Sequence, residues 1–130
     1  MKDQLFILKP GYFKDDRGPL FCCDAAPIEG QLSFYPQLRQ WIDVIYIDAQ
    51  RPRRALVERL GQDNQESPVL LIAPGHALKD SRVAYQTYGA QRFINDPTEI
   101  SKYLSTQYGL GLSSAIKPAA TAASERESHG

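Results

Sequence analysis

Residues 66–73, with the sequence ESPVLLIA, decide the fold of this chain. The run from Pro68 to Ala73 is the most apolar of the sequence, and such a run predicts a central strand of a sheet. Pro74 and Gly75 follow directly and end the strand. The remaining elements can be arranged on either side of this strand.

A strand and a helix are predicted near the start of the chain. The run QLFILK at residues 4–9 predicts the strand, and residues 15–19 continue the polar loop after it. A helix follows from about Asp24 to Tyr35, where apolar residues recur every three or four positions. Asp24 can cap its first turn, and residues 37–41 add a further turn.

A second strand and a second helix lead into the central strand. The run DVIYID at residues 43–48 predicts the strand, and residues 51–60 predict the helix. Pro52 suits the first turn of that helix, and Gly61 suits its end. Two β-α-β units with right-handed crossovers are therefore expected, forming a central parallel pair.

Downstream of the central strand, residues 75–90 predict either a short helix or an extended hairpin loop. Residues 91–95 predict a strand, and DPTE at residues 96–99 predicts a helix opening with Asp at the N-cap. Residues 113–130 have almost no large apolar side chains, which predicts a disordered tail. The predicted fold class is α/β, with residues 1–112 as one domain in the order β-α-β-α-β-β-α.

The composition is that of an ordinary globular protein. Of the 130 residues, 42% are hydrophobic and 23% are charged, and the formal net charge is zero. This balance gives no electrostatic reason to expect nucleic acid or a membrane surface as a partner. Arg51, Arg53 and Arg54 form a basic cluster, which we interpret as a solvated helix start in preference to a phosphate site.

Isolated His76 and His129 indicate no metal site. With two adjacent cysteines and no secretory signal, a cytoplasmic location is expected.

The functional prediction centres on Cys22 and Pro68. Cys22 stands just before the first helix, and Pro68 opens the central strand. A thiol at a helix start lies near unpaired backbone N–H groups and the positive end of the helix dipole, which favours the nucleophilic thiolate. Tyr12, Phe13 and Phe21 flank this thiol and are candidates for a pocket wall. A purely packing role for Cys22 remains open.

With these residues in place, the chain resembles the thioredoxin superfamily, particularly its glutaredoxin and glutathione-transferase N-terminal branch. The resemblance rests on the element order from Gln4 to Gly109, the cysteine before the first helix and the proline of ESPVLLI. The stretches KDQLFILKPG, IEGQL, NQESPVL and RFINDP give a still closer resemblance to an uncharacterised bacterial family of small thioredoxin-like proteins. That family offers no established activity to transfer.

The superfamily resemblance implies a thioredoxin-like three-layer sandwich with a mixed central sheet, and it implies a set of binding residues. Pro68 would be cis and would face the Cys22 thiol, and Ser67 would offer its backbone to the substrate. Asn95 and Asp96, at the start of the last helix, would supply polar contacts to glutathione. Helix capping is the alternative role for Asp96.

The chain departs from the Cys-x-x-Cys motif of many redox members, because Ala25 stands where the second cysteine would be. Cys22 is therefore the single candidate nucleophile, and Cys23 and Asp24 are supporting residues. The Asp24 carboxylate opposes thiolate formation at Cys22. Without a dithiol cycle inside the motif, a second thiol such as glutathione would resolve the intermediate.

Three functions remain open from the sequence. The first is a monothiol redox or glutathione-linked protein that exchanges disulfides with a small thiol or a protein. The second is a non-catalytic thioredoxin-like module that binds a protein partner or forms a homodimer, with residues 75–90 as the candidate surface. The third is a transferase-like fragment that holds glutathione without chemistry.

Overall fold

The computed structural model of this protein describes residues 1–11 and 13–117. The strands of this part of the chain are β1 (Gln4–Leu8), β2 (Phe13–Asp15), β3 (Gly18–Leu20), β4 (Asp43–Ile47), β5 (Val69–Ile72), β6 (Gln86–Tyr88) and β7 (Gln91–Ile94). The helices are α1 (Ala25–Phe34), α2 (Leu38–Trp41), α3 (Arg54–Leu60) and α4 (Pro97–Gln107).

Five strands form one mixed sheet in the order β4-β1-β5-β7-β6, and β2 pairs with β3 in a separate hairpin. This confirms the predicted α/β class with a mixed sheet, and the architecture is compatible with a thioredoxin-like sandwich. β1 and β4 run parallel, whereas β5 runs antiparallel to β1. The prediction of two β-α-β units is therefore wrong for the second unit. An apolar run that is buried on both faces has the same pattern in either direction, so the sequence does not reveal the direction.

The direction of β5 determines which ends of the strands meet. Phe6 of β1 pairs with Val69 of β5, and Gln4 pairs with Leu71. The start of β5 therefore lies beside the C-terminal half of β1. This is the end of the sheet from which the chain continues through the β2–β3 hairpin to Cys22.

Helices cover both faces of the sheet. Leu5 and Ile7 of β1 belong to a buried cluster with residues of α1 and α4. Phe6, between them, belongs to a second cluster with Leu56 and Leu60 of α3. Because successive side chains of a strand point to opposite faces, a strand covered on both sides needs apolar residues throughout. This explains the continuous apolar character of the central strands.

Two predicted boundaries differ from the structure. Residues 15–19, predicted as a loop, take part in the β2–β3 hairpin. The helix predicted for residues 51–60 is α3, and it begins only at Arg54, so that Pro52 precedes it. The backbone N–H of Arg53 donates to Gln65 Oε1 at 2.8 Å, a tertiary contact that fixes the loop in front of α3.

The predictions for the two helix caps and for residues 75–90 are confirmed in part. Asp24 occupies the N-cap of α1, but it has helical backbone angles and its side chain makes no capping hydrogen bond. The predicted opening of the last helix is confirmed, since the Asp96 carboxylate accepts from the N–H of Glu99 at 3.1 Å. Of the two alternatives for residues 75–90, the hairpin is confirmed, because β6 pairs with β7.

Part of the predicted tail can be described. Residues 113–117 contain a turn, and residues 118–130, with His129, lie outside the described residues. Tyr12 also lies outside them. Within the described part of the chain, no helix has the length and apolar character needed to cross a membrane.

Candidate functional site

The Cys22 thiol lies against the start of β5. Its Sγ donates a hydrogen bond to the carbonyl oxygen of Ser67 at 3.9 Å, and the side chain is partly buried. The Ser67–Pro68 peptide bond is cis, and Pro68 is buried. The predicted juxtaposition of sulfur and proline is therefore observed, while the chemical roles of these residues stay predictions.

Hydrogen bonds to two core elements hold this arrangement. The hydroxyl of Ser67 donates to the carbonyl oxygen of Phe6 in β1 at 3.1 Å. The N–H of Ala25, the first residue of α1, donates to the carbonyl oxygen of Cys22 at 3.1 Å. The sulfur and the Ser67 carbonyl are thus each fixed to a separate part of the framework.

An open groove with a volume of about 300 Å³ lies beside Cys22. Leu8, Phe21 and Ala25 contribute apolar walls, and Glu29 contributes a carboxylate. Phe21 is 65% exposed, so most of its side chain is available for contact with a ligand. The groove can accept a small apolar group next to the thiol.

Cys23 and Asp24 line a different groove. Both are exposed, and they face a space of about 290 Å³ between the starts of α1 and α4, together with Pro97 and Ile116. The structure therefore does not bring their side chains into the groove beside Cys22. As far as the described residues go, the two neighbouring cysteines have separate surroundings.

Asn95 and Asp96 are both held by protein contacts. Asn95 Nδ2 donates to the carboxylate of Glu66 at 2.8 Å, which links it to the residue before Ser67. The Asp96 carboxylate is occupied by the cap of α4 through Glu99. Asn95 is therefore connected to the β5 start, whereas the observed role of Asp96 is helix capping.

Arg53 is a residue near the thiol that the sequence did not single out for this site. Its guanidinium donates to the carbonyl oxygens of Ala49 at 2.9 Å and Gln65 at 2.7 Å. Burial lowers the pKa of Arg53, the charge of Arg51 lowers it further, and the charge of a Cys22 thiolate raises it. Arg53 and an ionised Cys22 therefore attract each other. The sequence signal was the basic cluster, which does not indicate how close Arg53 comes to Cys22.

A buried carboxylate forms a polar cluster at the opposite end of β1. Asp3 is completely buried. Its oxygens contact the N–H of Ala73 at 2.7 Å, Nδ1 of His76 at 3.0 Å, and the hydroxyls of Tyr103 at 2.5 Å and Tyr108 at 2.7 Å. Burial raises the pKa of both tyrosines, and the hydrogen bonds and charge of Asp3 raise it further. His76 is thus part of this cluster rather than isolated, and no local pattern marks Asp3.

The comparison with known protein families covers the part of the chain that contains these helices and strands. A family model described as "Protein of unknown function (DUF3088)" matches residues 2–112. The chain belongs to the DUF3088 family. The DUF3088 match covers every helix and strand described above and includes both Cys22 and Pro68. This match agrees with the predicted resemblance to an uncharacterised family. No curated protein and no solved structure matches this DUF3088 chain.

Proposed function

We propose that this protein is a monothiol redox protein of the thioredoxin-like superfamily, with Cys22 as its nucleophile. The observation that carries the proposal is the contact between Cys22 Sγ and the carbonyl oxygen of Ser67, directly before Pro68. Two segments that are distant in sequence meet there and leave the sulfur beside an open groove. A reducing cytoplasmic compartment suits such a free thiol.

The proposed reaction has two exchanges. The Cys22 thiolate attacks one sulfur of a substrate disulfide, a bond forms between the two sulfurs, and the substrate S–S bond breaks. The departing thiolate keeps the electron pair and takes a proton from solvent. A second thiol, such as glutathione, loses its proton to solvent and attacks the substrate sulfur of the mixed disulfide. A new S–S bond forms between the second thiol and the substrate, and Cys22 is released as a thiolate. This second thiol is needed because Ala25 cannot resolve the intermediate.

The Ser67 carbonyl gains a role during this cycle. In the resting protein it accepts the S–H of Cys22. Once Cys22 is in a mixed disulfide, its S–H no longer exists, and the carbonyl oxygen is free to accept an N–H from the bound substrate. The loss of one hydrogen bond is therefore coupled to the formation of another. Asn95, through its hydrogen bond to Glu66, is linked to the segment that carries Ser67.

The experiment compares two cysteine variants. Reduced protein is mixed with glutathione and a small mixed disulfide, and the rate of glutathione disulfide formation is measured. We expect Cys22→Ser to fall to the rate of the uncatalysed exchange and Cys23→Ser to keep the rate of the unmodified protein. Equal rates for the unmodified protein and Cys22→Ser would remove the proposal.

A partner-binding module is the second candidate, and the exposed β6 hairpin favours it. Tyr85 is 44% exposed and Tyr88 is 51% exposed, and β6 forms an edge of the sheet. Sheet edges with exposed aromatic residues are suited to pairing with another chain or a second copy. Tyr85→Ser would then weaken self-association or partner capture measured by sedimentation, while Cys22→Ser would leave it unchanged. If association were lost in Cys22→Ser and kept in Tyr85→Ser, the contact would involve the thiol, which would favour the redox function.

A further inference from the structure

A basic groove is lined by Lys9, the residue after Leu8 of the groove beside Cys22, which is called the thiol groove below. It has a volume of about 710 Å³ and runs along the end of β4 and the loop before α3. Four of its lining residues are cationic, namely Lys9, Arg51, Arg53 and Arg54. The carboxylate that lines it belongs to Asp48, which pairs with Lys9 at 3.1 Å. Arginine carries most of the charge of this basic groove.

The arginines of the basic groove are not neutralised by the protein. Among the described residues, the side chains of Arg51 and Arg54 are exposed and make no hydrogen bond or ion pair. Arg53 uses its guanidinium for the backbone oxygens of Ala49 and Gln65 and contacts no carboxylate. Burial and the neighbouring charge of Arg51 both act against the positive charge of Arg53. An anion placed between these groups would offset their mutual repulsion.

The basic groove adjoins the thiol groove. Leu8 lines the thiol groove, and the next residue, Lys9, lines the basic groove. Tyr46 of the basic groove donates to Glu29 of the thiol groove at 2.8 Å. Arg53 also interacts electrostatically with Cys22. The two grooves are therefore neighbours, linked by the Leu8–Lys9 backbone and by the Tyr46–Glu29 hydrogen bond.

We infer that the disulfide attacked by Cys22 is a small anionic molecule, whose carboxylate or phosphate group binds Arg51 and Arg54 in the basic groove. This inference rests on the proposed redox function and names its substrate class. It replaces the interpretation of the arginine cluster as a solvated helix start. Guanidinium groups suit both anions because their donors match the spacing of the oxygens.

The test uses three small disulfides of similar size and different charge. Dithiodipropionate is anionic, bis(hydroxyethyl) disulfide is neutral, and cystamine is cationic. Each rate is divided by the rate of the same disulfide with free glutathione, because the leaving thiols differ in pKa. On this relative scale we expect Cys22 to react with dithiodipropionate about fivefold faster than with the neutral compound, the sum of two exposed charge contacts, and slowest with cystamine. The preference should shrink with added salt. Inorganic phosphate and acetate, added separately as competitors, distinguish the two anions by which one slows the reaction more.

A charge-matched pair of variants provides the control. Arg51→Gln with Arg54→Gln should abolish the preference for dithiodipropionate over the neutral disulfide. Lys79→Gln with Arg82→Gln removes the same charge from an exposed loop and should leave the preference intact. Thermal unfolding of both double variants checks that they remain folded.

The outcomes separate this inference from the proposed function. Equal relative rates of Cys22 with the three disulfides would overturn the anionic substrate and leave the redox function standing. The same holds if the Arg51→Gln, Arg54→Gln variant keeps the full preference for dithiodipropionate. A preference lost equally in both double variants would also overturn it, because net charge alone would then explain the effect. A Cys22 that reacts with none of the three would overturn both proposals.

Discussion

The Cys22 sulfur lies 3.9 Å from the carbonyl oxygen of Ser67, a residue 45 positions further along the chain. The contact exists because β5 runs antiparallel to β1, which brings the start of β5 to the end of β1. Ser67 reinforces it with the hydrogen bond from its hydroxyl to Phe6. The backbone of Ser67 therefore contacts the thiol, and its side chain anchors the segment to β1.

Ser67→Ala should separate these tasks. The variant keeps the carbonyl that faces Cys22 but loses the side-chain hydrogen bond to Phe6, so we expect the free energy of unfolding to fall by about 1 kcal/mol. The disulfide-exchange rate should change little, since the backbone contact is retained. Urea unfolding and the glutathione assay measure the two effects. A large loss of rate with unchanged stability would contradict the division.

Asp3→Ala should be strongly destabilising. The substitution leaves the buried N–H of Ala73 and the buried hydroxyl of Tyr103 without their acceptor. We expect a loss of about 3–5 kcal/mol in the free energy of unfolding, as for other broken buried charged networks. Asp63→Ala, at an exposed turn, is the matched control and should stay within about 0.5 kcal/mol. Similar losses in the two variants would show that the cluster does not stabilise the fold.

Stability should decrease at alkaline pH because of the two tyrosines that face Asp3. Their pKa values are raised in the folded chain, mainly by burial, above the ordinary phenol value of about 10. Above that pH the unfolded chain releases phenolic protons that the folded chain keeps, so the free energy of unfolding falls as pH rises. The contribution of Tyr103 and Tyr108 is therefore complete below about pH 10 and is lost above it.

This pH dependence is tested by the slope of the free energy of unfolding against pH, rather than by its value at one pH. Tyr103→Phe removes one of the retained protons, so its stability should fall less steeply above pH 10, by about 1.4 kcal/mol per pH unit. Urea unfolding at a series of alkaline pH values gives both slopes. Parallel curves for the variant and the unmodified protein would disprove this role of Tyr103.

Asp96 and Asp24 provide a comparison of two helix starts. Asp96 caps α4 through Glu99, whereas Asp24 makes no capping hydrogen bond at α1. We expect Asp96→Ala to cost about 1 kcal/mol and Asp24→Ala less than about half of that. Asp96→Asn keeps the cap, because asparagine is an equally good N-cap. A slower glutathione assay in Asp96→Asn would therefore reveal a ligand contact in addition to capping.

Most elements of the fold could be predicted because their signals are local. The central strand is marked by its own apolar run, and α4 is marked by Asp96, Pro97 and Glu99 at fixed spacing. The start of α3 could not be placed in the same way. Its preceding loop is fixed by contacts from Arg53 to Gln65, which are made after the chain has turned back.

The candidate site was only partly predictable. Cys22 and Pro68 were recognisable by their positions at a helix start and a strand start. Arg53 and Asp3 were not, since a charged residue in a loop has the same local pattern whether it is solvated or buried. Their surroundings depend on residues brought together by folding, such as Gln65 for Arg53 and Tyr103 for Asp3.

The sequence by itself determined most of the segments that become strands and helices and that the central strands are buried on both faces. Only the tertiary structure decided that Leu70 and its neighbours run against β1, and hence that a sulfur and a proline meet at one end of the sheet. The physical reason is that a pattern of apolar side chains records burial, which is the same for either strand direction. The distance between two groups depends on strand pairing, which the pattern does not encode.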